Sequence, residues 1–550
     1  MKKIAILFVI LCASVHVSTA QNIDPTVEVT RGYKAELADI PKPLMDMTVP
    51  DSVYKFNLDF DYSVTYNPYR GSYEFNPYAM DLKPQSVKEE PTTLYINAGA
   101  GYTLNPVFDI VYSPVLDGKF SVDLYGHHKS YVGDYRAPHI GDVIVRDGYK
   151  SGYDLMSSAS ADFGYDWEKA VIGFGASYYG LAIRDDLHTD DYNALDARFS
   201  IKSKSLWSKD FMYDINADYR FGGNAEIREH IVNLNAKFGP TLKSVHKVFF
   251  DVGGTFATCE KLNPVIFGRA YVLPHYMYVR KNFKADVGIR ASYVYSNNNS
   301  FYRRMNQIVY PDIHLDYLVK DVMRLYLDIT GGETLNTYSS LLERNHHFFS
   351  KYQLGEMALL GASLVQVKPE FGFEGRITNF FSYDLKGGYC CNAASPVNAL
   401  VVNDGVYAPV LGYADYQTCY AEFDWNLSLK SFRFDGALKY TYLIDMQDAP
   451  ENVYYVCPAE WTANASAVYN WNKRLYVGVD CVAASAGKTH DSSVYVPYYV
   501  DLGAFAEFAI NKKISVWLRG GNLLNMEIQR IPLYAEKGIN FTAGFCLNLQ

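Results

Sequence analysis

The sequence predicts an all-β fold: a transmembrane antiparallel β-barrel of about 22 strands behind an extended N-terminal periplasmic or lumenal segment, and three observations carry that prediction. Between residues 93 and 549, apolar and polar residues alternate in successive segments of about 10 to 14 residues, each closed by turn-forming residues. Connections between segments alternate between tight and long, in step with strand parity. Beyond the first 20 residues there is no apolar run of the kind a spanning helix needs, which excludes a helical membrane bundle. A soluble sandwich would also alternate, but with strands of about 5 to 6 residues. Segments twice that length fit a bilayer crossed at about 45° of tilt, each backbone group paired with a neighbouring strand.

Composition agrees. The chain holds 48 Tyr and 31 Phe against 6 Trp, rings that suit the boundary between water and hydrocarbon. Its net charge of −9 comes without a long block of like charge, which excludes a nucleic-acid partner.

Taken in order, residues 1–20 read as a secretory signal peptide. Lys2 and Lys3 give the basic start, Ile4 to Ala13 the apolar segment, and Ser18-Thr19-Ala20 the cleavage site. Cys12 follows Leu11, where a lipoprotein signal would want a small residue, so lipidation is not expected. Residues 21–92 contain eight prolines and no long apolar pattern, and form a periplasmic or lumen-occluding segment. Residues 93–550 are the barrel.

The strand segments fall near 93–104, 107–115, 119–130, 155–168, 170–185, 192–204, 211–224, 229–240, 245–259, 268–280, 282–296, 306–318, 322–334, 364–376, 379–391, 411–428, 430–444, 459–472, 474–486, 498–511, 514–526 and 538–549. In the sixth, Leu195, Ala197, Phe199 and Ile201 share one face, and Asp196, Arg198, Ser200 and Lys202 the other. Phe283, Ala285, Val287, Ile289 and Ala291 oppose Lys284, Asp286, Gly288 and Arg290 in the same way. So do Val365 to Phe373 against Gln366, Lys368 and Glu370, and Trp461 to Trp471 against Thr462, Asn464, Ser466 and Asn470. Polar faces carrying both signs of charge suit a packed interior better than an ion-selective pore.

Short turns follow even-numbered segments, as at Asp117-Gly118, Arg280-Lys281-Asn282 and Asn472-Lys473-Arg474. Long connections, above all 131–154, 335–363 and 392–410, follow odd ones. Outer-membrane barrels place short turns in the periplasm and long loops outside, so both termini are expected in the periplasm of a Gram-negative cell.

The mature chain has seven cysteines with no regular spacing, and most read as small apolar fillers; a Cys391–Cys457 link across outer loops is one open pairing. Glycine pairs at Gly222-Gly223, Gly253-Gly254, Gly331-Gly332, Gly387-Gly388 and Gly520-Gly521 read as points of barrel curvature, or of close approach by another backbone. His127-His128 and His346-His347 lack metal-ligand spacing. Arg303-Arg304 beside Tyr302 read as a solvated outer loop, or as a grip on an anionic ligand. No nucleophile elbow, HExxH site or phosphate-binding glycine loop is present, so no catalytic, metal or cofactor site is assigned; an enzyme at the barrel rim is the remotest reading.

The last segment, Thr542-Ala543-Gly544-Phe545-Cys546-Leu547-Asn548-Leu549, is similar to the terminal signal read by the barrel-assembly machinery: polar Thr542, then Gly544, then alternating Leu547 and Leu549. It departs from the commonest pattern by ending on Gln550 rather than an aromatic residue. Upstream, Gly521-Asn522-Leu523-Leu524-Asn525, Tyr534 and Gly538-Ile539-Asn540-Phe541-Thr542-Ala543-Gly544 resemble the closing stretch of TonB-dependent receptors, most closely the Bacteroidota type. In such receptors a plug of more than 100 residues fills the lumen, whereas about 72 residues lie here between the signal peptide and the first strand. The chain therefore resembles a plugless receptor-like barrel.

That resemblance implies solute transport across the outer membrane, with outer-membrane lipids around the barrel. Thr26, Val27, Glu28, Val29 and Thr30 are similar to the short strand such receptors offer to TonB; the same residues also fit a plain linker, or a strand docking another periplasmic protein. A structural or assembly role in the envelope is the alternative. An open barrel of this width would leak, so residues 21–92 and loops 131–154 and 335–363 are expected to fold into or across the lumen.

Overall fold

The computed structural model describes residues 93–549 apart from 103, 117, 137, 141–142, 145–149, 185–188, 205–210, 243–244, 261–264, 298–307, 321, 348–359, 404–405 and 492–493. Residues 1–20, read above as a signal peptide, residues 21–92 with Thr26 to Thr30, and the Tyr302-Arg303-Arg304 run lie outside the described residues.

Twenty-two strands form one closed antiparallel barrel. They are β1 (Leu94–Tyr102), β2 (Val107–Tyr112), β3 (Phe120–Tyr135), β4 (Lys150–Asp166), β5 (Ala170–Arg184), β6 (Thr189–Ser203), β7 (Phe211–Gly223), β8 (Arg228–Leu242), β9 (His246–Glu260), β10 (Val265–Arg280) and β11 (Phe283–Ser296). The second half comprises β12 (Val309–Val319), β13 (Met323–Asn336), β14 (Gly361–Thr378), β15 (Phe381–Asn403), β16 (Val406–Ser428), β17 (Phe432–Met446), β18 (Trp461–Trp471), β19 (Leu475–Ala484), β20 (Tyr499–Ala509), β21 (Ile514–Gly521) and β22 (Asn540–Leu549). Each strand pairs with the next, and β1 closes on β22 in a register running from Leu94 opposite Leu549 to Tyr102 opposite Phe541. Among the described residues every barrel strand has a partner on each side, as a sheet in hydrocarbon requires.

The wall follows the expected alternation. Leu195 and Phe199 of β6, Val287 and Ile289 of β11, and Trp461, Tyr469 and Trp471 of β18 are exposed on the outer surface. Their intervening partners turn inward, where Asp196 pairs with Arg220 and Lys284 with Asp316. Trp461 and Trp471 stand at opposite ends of β18, ten residues apart. At about 3.3 Å per residue and about 45° of tilt, that interval spans about 23 Å, the height of an apolar band with aromatic girdles at both interfaces.

Both termini of the barrel lie at the end with the tight turns. There, Asn472 and Lys473 both adopt positive φ, 51° and 59°, the signature of a turn whose twist matches its strands, closed by Arg474 N donating to Trp471 O at 3.1 Å. The opposite end carries the long connections 136–149, 297–308, 337–360, 447–460, 485–498 and 522–539.

One expectation needs correction: residues 392–410 are not a loop. β15 and β16 are 23 residues each and continue as a paired hairpin from Phe381 to Ser428. Val397, Ala399 and Val401 pack with Val410, Ala414 and Tyr455, while Leu400 packs with Ile140 and Leu533. Both faces are therefore buried, and a strand covered on both faces reads as the continuous apolar run Ala399-Leu400-Val401-Val402 instead of an alternation. Val453–Tyr455 adds a short strand against Ala399–Val401.

The glycine pairs resolve individually. Gly332 follows a register shift in β13, a bulge that bends the wall. At Gly388, a Cβ would stand 2.7 Å from the ring of Tyr420, so the missing side chain admits an aromatic ring from the neighbouring strand, not a separate lumenal backbone. Among the described residues, all seven cysteines are free thiols. Cys391 donates to Gln366 Oε1 at 3.0 Å and Cys457 Sγ lies 3.8 Å from Met446 Sδ, so the Cys391–Cys457 pairing does not form.

Candidate functional site: a roofed lumen

The inward face of the barrel is built from paired charges. Arg198 meets Asp162 at 3.0 Å, Lys237 meets Asp251 at 3.5 Å, and Lys386 sits between Glu422 and Asp424 at 3.0 and 3.3 Å. His275 spans Asp286 at 2.7 Å and Asp251 at 3.3 Å; His314 spans Asp328 at 2.6 Å and Asp312 at 3.2 Å. These pairs set opposite charges side by side on the inward face.

At the long-loop end the inward face changes character. In β6 the lumenal positions run Tyr192, Ala194, Asp196, Arg198: two apolar residues above two charged ones. The apolar pair supports α1 (Tyr338–Arg344), which the 337–360 connection turns inward. Thr337 begins this helix, its hydroxyl accepting from Ser340 N at 3.3 Å. Tyr338, Leu341 and Leu342 pack on Leu181, Ile183, Tyr192, Ala194, Ile231 and Phe267 of the wall and on Leu411 of the tall hairpin. Glu229 of β8, nearly fully buried, accepts from Tyr192 Oη at 2.7 Å and from Ser339 N at 3.0 Å. Arg220 of β7 reaches Glu343 at 3.3 Å.

The other long connections lock onto this helix segment and onto one another. Asn345 donates to Asn398 Oδ1 at 3.1 Å, and the His347 ring stacks on Tyr534 at 3.9 Å. His139 N donates to Glu527 Oε1 at 2.8 Å, and Gln529 Nε2 to His139 O at 2.7 Å. The result is a roof across the long-loop end. Beneath it lies a cavity of ≈ 3100 Å³ that reaches the tight turn at Leu429–Phe432 on the opposite side. Of the segments expected over the lumen, 131–135 and 150–154 are instead the ends of wall strands β3 and β4, and 335–336 and 361–363 belong to β13 and β14; residues 337–347 turn inward, His139 meets Glu527 and Gln529, and 137, 141–142, 145–149 and 348–359 lie outside the described residues.

The terminal-strand residues share one seam but not one face. Thr542 is buried inward and accepts from Asn105 Nδ2 at 2.9 Å, and Gly544 is inward too. Leu547 and Leu549 share the outward parity of the exposed Phe541 and Phe545. Of the histidine pairs, His127 meets Asp109 at 2.5 Å and His128 meets Ser157 at 2.8 Å; among the described residues no group of three His, Cys, Asp or Glu is placed to hold a metal.

The sequence reading did not single out Lys537, in the 522–539 connection. Burial in the roof, reinforced by the charge of Lys129, lowers its pKa to about 8, against the opposing pull of Glu536, Asp154 and Asp501. Between pH 8 and the usual lysine value the folded chain thus binds fewer protons than the unfolded chain, so stability rises with pH across that window. The expected gain is about 3 kcal/mol from pH 8 to 10.5, and Lys537→Met should abolish it. Thermal unfolding of the two proteins at half-unit pH intervals checks this; parallel profiles would contradict it.

Neither a family model nor a curated protein matches the sequence. Solved structures do match in fold. The FrpB iron transporter of Neisseria meningitidis superposes with a TM-score of 0.61 at 11% identity, covering 84% of this chain and 82% of that one. The ferric enterobactin receptor of Pseudomonas aeruginosa gives 0.59 at 10% identity, covering 83% and 80%. The ferric-catecholate import receptor Fiu of Escherichia coli K12 gives 0.59 at 9% identity, covering 84% and 82%. By its 22-strand closed wall and these superpositions, the chain has the fold of a TonB-dependent receptor-like outer-membrane barrel.

Proposed function

We propose that the protein sits in the outer membrane with its tight turns and termini in the periplasm and moves a solute through its lumen. The observation that carries the proposal is the cavity of ≈ 3100 Å³ inside a closed, lipid-facing wall, reaching the tight-turn end and roofed at the other. A solid scaffold needs no such space, and a porin would have no such roof. The fold relatives bear names of iron and ferric-siderophore carriers, which supports the transport class and leaves the cargo of this chain open.

In this reading residues 21–92 enter from the periplasm and complete the occlusion. Thr26 to Thr30 offer a strand to TonB or to another periplasmic protein, where main-chain pairing asks little of side chains. Thr542, Gly544, Leu547 and Leu549 serve recognition by the barrel-assembly machinery.

Single-channel conductance in planar bilayers tests this. The full mature chain is expected to be closed, and a chain lacking 21–92 to pass current in rare, large steps limited by the roof. Closure of both would favour the structural or assembly role in the envelope.

A further inference from the structure

Many cations of the lumen come with carboxylates, at Arg198, Arg220, Lys237, Lys284, Arg324, Lys386 and Arg530, while Arg519 on the cavity wall stands over the Trp517 ring instead. Under the roof the pattern breaks. Lys537 and Arg136 both face the cavity, and neither has a carboxylate within 4 Å among the described residues. Lys537 Nζ stands 5.3 Å from the ring of Tyr131, which packs edge-on against Tyr135 at 5.0 Å. Arg136 donates to Asn525 O at 2.6 Å, and its Nε lies 3.5 Å from where a Cβ on Gly538 would be, beside Lys537 in the chain.

The acids in range are engaged elsewhere. Glu536 makes two bonds to Arg530, at 2.6 and 2.7 Å, Asp501 holds the same guanidinium at 2.8 Å, and Asp154 lies 3.8 Å from His346 Nε2. Lys537 is half-buried, and an ammonium taken partly out of water without a counter-charge carries a desolvation cost that an anion beside it would offset. The burial that lowers the Lys537 pKa expresses that cost.

We infer that the chamber under the roof is an oxyanion-binding site, in which Lys537 and Arg136 grip a carboxylate or phosphate group and Tyr131 and Tyr135 flank it. Arg136 supplies a planar fork, Lys537 a point charge, and the rings an apolar wall for whatever carries the anion. The inference deepens the transport reading, since a site at the inner surface of the roof is where a solute would be held during passage.

Isothermal titration of the full mature chain in micelles at pH 8, with inorganic phosphate and separately with citrate, tests binding without requiring flux, so a closed channel does not affect the result. Saturable binding of either probe is expected, with net proton uptake in buffers of differing ionisation enthalpy. Lys537→Gln and Arg136→Gln should each weaken it about tenfold, or about 1.4 kcal/mol. Lys537→Arg should retain it, as should Lys488→Gln at the rim, where Lys488 pairs with Glu460. The two probes separate phosphate from carboxylate. Zero-length carbodiimide coupling of Lys537 followed by mass spectrometry separates a free solute from a carboxylate of residues 21–92. A Lys537 adduct to that segment would show that the chain itself supplies the anion, and that the site is built as inferred. Neither binding nor adduct, or binding unchanged in both glutamine variants, overturns the inference.

Discussion

Trp517→Ala is expected to lower the stability of the barrel by about 3–5 kcal/mol, the cost of removing a buried indole and leaving its space empty. Trp517 is 6% exposed on the inward face of β21, and its ring lies across two strands of the closing seam. A Cβ on Gly99 of β1 would meet the ring at 2.5 Å, and one on Gly544 of β22 would collide with the same ring and with Ala98 O. The indole Nε1 donates to Asn97 Oδ1 at 2.7 Å, and Asn97 Nδ2 passes the connection to Asp109 at 2.8 Å. One side chain therefore clamps β21, β22 and β1 to one another. This is the only barrel pairing whose partners come from opposite ends of the described chain, so its contacts must offset the largest loop-closure entropy in the sheet.

The variants rank by mechanism. Trp517→Phe keeps a ring over the glycines and loses one hydrogen bond, for about 1–2 kcal/mol. Gly544→Val drives a branched side chain into the ring and the Ala98 carbonyl, and should match or exceed the alanine variant. Urea unfolding in micelles, followed by the heat-dependent gel mobility that marks a closed barrel, measures all three. A Trp517→Ala midpoint equal to the wild type would show that the ladder alone holds the seam.

The strands were legible because the bilayer imposes a single rule along each one. Lipid on one side and polar lumen on the other force period two, and the Leu195 and Phe283 faces obey it residue by residue. Where that rule lapses, the reading lapsed too. Residues 392–410 are buried on both faces, and their strands look like a loop to a method that counts alternation. The roof was expected only in outline, yet a signal was present: Tyr192 and Ala194 are apolar at lumenal positions, next to the outward Leu195, so the end of β6 must meet protein on its inner side. Nothing local marks Lys537. Its significance comes from Tyr131 and Arg136, about 400 residues earlier, and from the engagement of Glu536 with Arg530, none of which spacing reveals.

The same roof fixes the functional prediction of largest effect: in the chain lacking residues 21–92, the background for every variant that follows, Glu229→Ala should turn rare openings into frequent conduction. Its carboxylate holds Tyr192 Oη and Ser339 N together where no water reaches, and alanine leaves a buried hydroxyl and a buried amide without that acceptor. At about 1–3 kcal/mol for each group, the loss is about 2–6 kcal/mol, and each 1.4 kcal/mol is a tenfold change in population, so the detached roof becomes about 30-fold to about 20,000-fold more populated. Glu229→Gln preserves an acceptor for Ser339 N and should open far less. Leu341→Ala, which removes apolar contact from the same helix, should open the roof by a comparable route at about 2–5 kcal/mol. Glu343→Gln severs only the partly exposed pair with Arg220 and should change the open population less than about fivefold. Open probability in planar bilayers, measured for all four variants, orders these terms. If Glu229→Ala and Leu341→Ala both leave the chain lacking residues 21–92 as closed as its parent, the roof is not the barrier at the long-loop end, and the gate must be sought nearer the tight turns.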